Sequence, residues 1–197
     1  MDYRVARLLR VLIYILVGLL CLLVLYVGFK GLQRTLRPAA TQEAPKTIKL
    51  ADFATNGSQM RYVITGPVVA NQNFRETTIS VSATQAVVEV KRGYEQPPTL
   101  SRAFANNQTA FNAFIAALGV NGFTNTKVAP AGANRLGSCS LASKFSYQVY
   151  VNGGFVQDSW NTSCDTKQGT FAGSTSVVQQ LFQAQIPDYA AIVGSVQ

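Results

Sequence analysis

Residues 144–160 read KFSYQVYVNGGFVQDSW, and this stretch decides the fold class. Phe145, Tyr147, Val149 and Val151 occupy alternate positions, while Tyr150 falls on the opposite face. A period of two belongs to a strand with one buried and one wet face. Asn152-Gly153-Gly154 follows with residues that tolerate positive φ, so the chain turns back into FVQDSW at 155–160. The stretch predicts an antiparallel hairpin.

Upstream, QMRYVITG (59–66) puts Met60, Tyr62 and Ile64 on one strand face. ETTISVS (76–82) and QAVVEVKRG (85–93) are β-branched runs separated by Ala83-Thr84, a second hairpin, in which Val88 and Val90 alternate with Glu89 and Lys91. Pro97-Pro98 interrupts the sheet, because proline donates no ladder hydrogen bond. NNQTAFNAFIAALG (106–119) then switches to helical spacing, with Phe111, Phe114, Ile115 and Leu118 on one face. Asn106 or Asn107 suits its N-cap and Gly119 its C-terminal stop. Residues 120–143 read as a long loop. A second helix is predicted over 174–187, with Val177, Val178, Leu181 and Phe182 as its apolar face and Ile186-Pro187 as its end. The expected class is α+β: an antiparallel sheet with two helices packed on one face, each hairpin–helix half reading as a ββα unit that suggests duplication.

Another segment precedes this domain. VLIYILVGLLCLLVLYVGF (11–29) carries no charge over 19 residues. At a rise of about 1.5 Å per residue that spans roughly 30 Å of hydrocarbon. Tyr14 and Tyr26 sit toward its two ends, where aromatic rings favour the interface. A buried core helix is rarely apolar on every face over five turns. No A-x-A cleavage site follows the run, and Leu20 is too large to precede a lipidated Cys21. The expected layout is a cytoplasmic tail at 1–10, an uncleaved transmembrane helix at 11–29, a Pro-containing juxtamembrane linker at 30–50, and an extracytoplasmic domain at 51–197. Residues 1–37 hold six of the 17 bases and one of the nine acids, so most of the net +8 flanks the apolar run. The bases before and after the run are balanced. The orientation, N-terminus inside and domain outside the cell membrane, is therefore taken from the character of the domain. The rest of the chain is weakly charged and has no Lys/Arg run, which argues against a nucleic-acid partner.

Cys139 and Cys164 bracket the Asn152-Gly153-Gly154 turn, whereas Cys21 lies in the apolar run. Antiparallel strands would bring the bracketing pair together. A bridge closing roughly 26 residues would stabilise the fold by about 3–4 kcal/mol. It would also fit an oxidising compartment; the alternative is two unpaired cytosolic thiols.

Chemistry is mostly excluded. The chain has no His, which removes Ser-His-Asp and Cys-His catalysis and His-containing zinc sites. No catalytic residue, metal ligand or cofactor is expected. Ser140, Ser143 and Lys144 lack the S-x-x-K spacing, and Thr124-Asn125-Thr126-Lys127 has the wrong nucleophile; both read as solvated surface. Glu89, Glu95, Asp158 and Asp165 are the acids available for glycoside hydrolysis, with no pattern that pairs two of them. Trp160 and Tyr147 read as core. Tyr150, Arg135 and Tyr94 are the candidate binding surface, with Arg135 exposed in PAGANRLGS (130–138). Asn56, Asn107 and Asn161 head glycosylation-type triplets.

Three sets of residues carry a resemblance. They are Arg61-Tyr62-Val63 with Gly66-Pro67-Val68-Val69-Ala70-Asn71; Val90-Lys91-Arg92-Gly93-Tyr94; and Cys164, Gly169-Thr170-Phe171, Leu181-Phe182 and Gln185-Ile186-Pro187-Asp188-Tyr189. Together they resemble small membrane-anchored proteins of unknown function from ultra-small bacteria of the Saccharibacteria type. The resemblance implies a bacterial cell-surface protein with a disulfide-bonded globular domain, and no activity. The expected function is a non-enzymatic binding or scaffolding module of the envelope. Its partners would be the lipid bilayer through 11–29 and an envelope protein or cell-wall glycan. The alternatives are an inhibitor of extracellular proteases presenting Arg135, and a His-independent hydrolase.

Overall fold

The computed structural model describes residues 48–55 and 57–196. The tail, the 11–29 run and nearly all of the linker lie outside the described residues, within which no helix is long and apolar enough to cross a membrane. Ile48 and Leu50, expected in the linker, belong to the folded unit. Leu50 is buried in the core, and the Ile48 carbonyl accepts from Thr124 Oγ1 at 2.9 Å.

Six strands form one antiparallel sheet: β1 (Ser58–Thr65), β2 (Arg75–Ser82), β3 (Gln85–Arg92), β4 (Pro98–Ala105), β5 (Lys144–Val151) and β6 (Gly154–Thr162). Their order is β4-β3-β2-β1-β5-β6. Helices α1 (Gln108–Val120), α2 (Thr175–Gln183) and α3 (Tyr189–Gly194) complete the domain. The class is α+β, as the alternation predicts. Both hairpins form, and Asn152 and Gly153 take positive φ (50° and 74°) in the two-residue turn between β5 and β6.

One face of the sheet carries the core. Met60, Tyr62, Ile79, Val81, Val88, Tyr147 and Val149 meet Phe111, Phe114, Ile115 and Leu118 of α1, and Val178 and Phe182 of α2. Aromatic contacts dominate the centre: the Tyr147 ring stacks on Phe171 with centroids 3.6 Å apart, and Phe182 meets Tyr62 at 5.5 Å.

The expectations fail at five points. Pro97-Pro98 was read as a break with no strand expected directly after it, in the place of β4, yet Pro98 is only its first residue, where a missing N–H does no harm. The strand is an edge strand and mostly exposed, so its alternation is weak. Gly119 does not stop α1. The helix runs to Val120, and Gly122 (φ 73°) is the left-handed residue after it. Gly122 N–H donates to the Gly119 carbonyl and Phe123 N–H to that of Leu118, the paired bonds of a Schellman motif. Asn107 is the N-cap, its side chain accepting from Ala110 N–H at 2.9 Å. The second helix ends at Gln183, Val177 faces out of it, and the additional helix α3 follows the buried Ile186. Four strands precede α1 and two lie between α1 and α2, so the halves are not equivalent ββα units. Lastly, Trp160 is 7% exposed but lies outside the main core. It pairs with Ser146, so it belongs to the sheet face opposite the helices.

Candidate functional site

The helix-free face of the sheet is built from the strand positions that alternate with the core. Register fixes its rungs. Lys91, Glu76, Thr65 and Lys144 lie side by side across β3, β2, β1 and β5. The next rung is Glu89, Thr78, Val63 and Ser146; the one after is Val87, Ser80, Arg61 and Gln148, continued by Asp158 of β6. Tyr150 stands opposite Gln59 one rung further on.

Two loops wall this face and turn it into a groove of about 480 Å3, within the range of small-ligand sites. One loop follows β1 and supplies Gly66 and Val68; the other precedes β5 and supplies Arg135 and Leu136. Val68 N–H donates to the Ser140 carbonyl at 2.8 Å, joining the two walls. The second wall is also tied covalently, by a disulfide between Cys139 and Cys164 with Cα atoms 6.3 Å apart. The bridge links the loop to the chain just beyond β6, where Ser163 N–H donates to the Ser143 carbonyl.

Tyr94, Arg135 and Tyr150 come from three separate chain segments, and all three line this groove. Tyr150 is half-buried, and the Arg61 guanidinium carbon lies 4.8 Å from its ring centroid, a cation–π contact. Phe155 meets the same ring edge-on at 5.4 Å. Arg135 is half-buried rather than exposed, because its Nη2 pairs with Asp158 Oδ2 at 2.5 Å. Tyr94 stacks on Phe74 at 4.0 Å and holds the backbone of Val69.

Sequence reasoning missed Arg61, Glu76, Lys91 and Lys144. Glu76 accepts from Thr65 Oγ1 and pairs with Lys91 at 3.1 Å. Lys144 was read as solvated surface, yet it is 5% exposed while lining the groove. The signal was present in KFSYQVYV: the residues between the apolar ones form the second face of β5.

The acids weighed for hydrolysis do not converge. Asp158 is committed to Arg135, and Asp165 accepts from the Lys167 N–H. Glu89 on β3 and Asp158 on β6 are four strand spacings apart, roughly 19 Å at about 4.8 Å each, too far for the paired carboxylates of a glycosidase. Among the described residues no three His, Cys, Asp or Glu side chains gather as a metal site requires. Asn161 is buried, so its side chain is not presented for glycosylation, while Asn107 is exposed and its side-chain oxygen caps α1.

No protein-family model and no curated protein matches this chain. What the groove can hold is decided by its own side chains. They supply hydroxyl and amide groups on the floor (Thr78, Ser146, Gln148), apolar contacts (Val63, Val68, Leu136) and four cations against one lining carboxylate.

Proposed function

We propose that this protein is a binding module of the bacterial cell envelope, tethered to the membrane through residues 11–29 and receiving its partner in the groove on the helix-free sheet face. The observation that carries the reading is the convergence of Tyr94, Arg135 and Tyr150 in one groove whose wall is fixed by the Cys139–Cys164 bridge. A rigid, preformed concavity lowers the ordering cost of binding, and aromatic and Arg side chains are the usual anchors of such contacts. The uncharged 19-residue run, the bridge and the resemblance to membrane-anchored bacterial proteins support placement at the cell surface. The inhibitor reading requires an outward-pointing Arg135, and its engagement with Asp158 favours the groove instead.

The test is site-specific photo-crosslinking in intact bacteria. A photoreactive residue at Leu136, exposed on the groove wall, is expected to capture one discrete partner. The same residue at Val120, exposed at the end of α1, is not. Identical adducts from both positions, or none from Leu136, would sink the proposal. Membrane tethering is read separately, by retention of the full chain in alkali-washed membranes and its loss on deletion of residues 11–29.

A further inference from the structure

We infer that the groove is selective for a short acidic peptide segment and that Lys144 receives its carboxylate; this rests on the binding reading above. The charges facing the groove are Arg61, Lys91, Arg135, Lys144 and Glu76, with Asp158 at its border. Glu89 shares the sheet face without lining the groove. Lys91 pairs with Glu76 and Arg135 with Asp158, and these are the two ion pairs among the described residues. Arg61 spends its charge on the Tyr150 ring and its Nε–H on Ser80 Oγ. Lys144 is more than nine-tenths buried, lines the cavity, and has no carboxylate partner among the described residues. An ammonium at the groove wall with neither a counter-charge nor a hydrogen-bond partner of its own among the described residues favours an anion entering beside it.

The anion's chemistry follows from what surrounds Lys144. A single ammonium is a compact point charge and suits one carboxylate. Phosphate recognition by a lysine is usually completed by forked guanidinium groups or convergent backbone N–H donors around the remaining oxygens. Here both lining guanidinium groups are engaged, Arg135 by Asp158 and Arg61 by the Tyr150 ring and Ser80. Ser146 and Gln148 follow Lys144 on the same face of β5 and offer donors and acceptors spaced as a peptide backbone needs. Val63, Val68 and Leu136 provide apolar contact for the flanking side chains. Carboxylate, amide and apolar contacts in one short groove describe an acidic peptide.

The experiment uses the full-length chain in mild detergent at low salt. The probes are two fluorescein-labelled peptides, Ser-Val-Glu-Val-Ser with blocked ends and its Gln counterpart. Fluorescence anisotropy should show the Glu peptide binding at least tenfold tighter than the Gln peptide. Lys144→Met should abolish that preference, while Lys167→Met, outside the groove, should keep it. Equal binding of the two peptides by the unaltered protein overturns the inference and needs no variant to fold. A preference that survives in Lys144→Met overturns it as well, as does a uronic-acid trisaccharide that competes as well as the Glu peptide. If neither peptide binds while Leu136 still captures a partner in cells, the acidic-peptide assignment fails and the binding module stands. If Leu136 captures nothing, the broader reading falls with it.

Discussion

Tyr94 grips Val69 at both backbone polar groups: its hydroxyl donates to the Val69 carbonyl at 2.9 Å and accepts from the Val69 N–H at 3.1 Å. Its own N–H donates to Asn71 Oδ1 at 2.8 Å, and its ring lies flat on Phe74. One side chain therefore fastens the end of β3 to the loop that walls the groove. Tyr94→Phe keeps the ring stack and removes both hydroxyl bonds. It should cost about 0.5–1.5 kcal/mol, since water can reach the freed Val69 groups. Amide exchange at Val69 should accelerate while the β1–β2 ladder stays protected. Unchanged exchange at Val69 would show that the hydroxyl does not hold the loop.

Gly119 and Gly122 make a paired test of how α1 ends. Gly119 is inside the helix, and a Cβ there would meet nothing closer than Leu50 Cβ at 4.0 Å. Gly119→Ala should therefore stabilise the domain by about 0.5–1 kcal/mol. Gly122 sits at φ 73°, and a Cβ would come within 2.6 Å of Asn125 Nδ2 and 3.1 Å of Gly173 Cα. Gly122→Ala should destabilise by at least about 1 kcal/mol. Urea midpoints that move in the reverse order would place the helix end at Gly119.

These glycines also show what local sequence can reveal. FIAALG ends in a residue that suits a helix stop, but the stop is chosen by the groups that close the Schellman pair, and Phe123 is drawn on by its burial in the core. The two hairpins were legible because their alternation is local and strong. β4 was hidden because an edge strand buries little and so alternates weakly. The groove was hidden for a topological reason: Thr65 and Lys144 become neighbours only when β5 pairs with β1, across 79 residues of sequence. Each groove residue looks like ordinary surface until that pairing is known.

The disulfide should matter to stability and to the groove in different degrees. Cys139 and Cys164 are 25 residues apart, and their bridge is worth about 3–4 kcal/mol in the chain-entropy model. Replacing both with Ser should lower the thermal midpoint by several degrees or more. The same change frees the loop that carries Arg135 and Leu136, so photo-crosslinking from Leu136 should weaken even well below the new midpoint. Non-reducing peptide mapping of the parent protein should recover the 139–164 linkage. Two free thiols in protein isolated from the envelope would contradict the bridge.

The Tyr62 hydroxyl is buried with no hydrogen-bond partner among the described residues. Tyr62→Phe removes an unpaired polar group and keeps the ring, which packs against Tyr147 and Phe182. It should leave stability unchanged or raise it by about 1 kcal/mol. Tyr147→Phe should do the opposite near neutral pH, because Asn161 Oδ1 loses the hydroxyl it accepts from at 3.1 Å. The two phenols also dictate an alkaline limit. Burial pushes Tyr147 up to about 12, against weaker opposing hydrogen bonds from Thr175 and Asn161. Burial, reinforced by Tyr147 and Tyr189, pushes Tyr62 further in the same direction. In the unfolded chain both ionise near pH 10. Above that pH the unfolded state binds fewer protons than the native one, so stability falls as pH rises. The Tyr147 contribution, roughly 2–3 kcal/mol, is fully present below pH 10 and is lost by about pH 12. With no His in the chain, no imidazole titration bends the profile between pH 6 and 9. Urea midpoints from pH 8 to 11.5 should therefore stay level and then drop, and both Phe variants should show a shallower drop. An alkaline limb equally steep in all three proteins would mean that these two phenols do not set it.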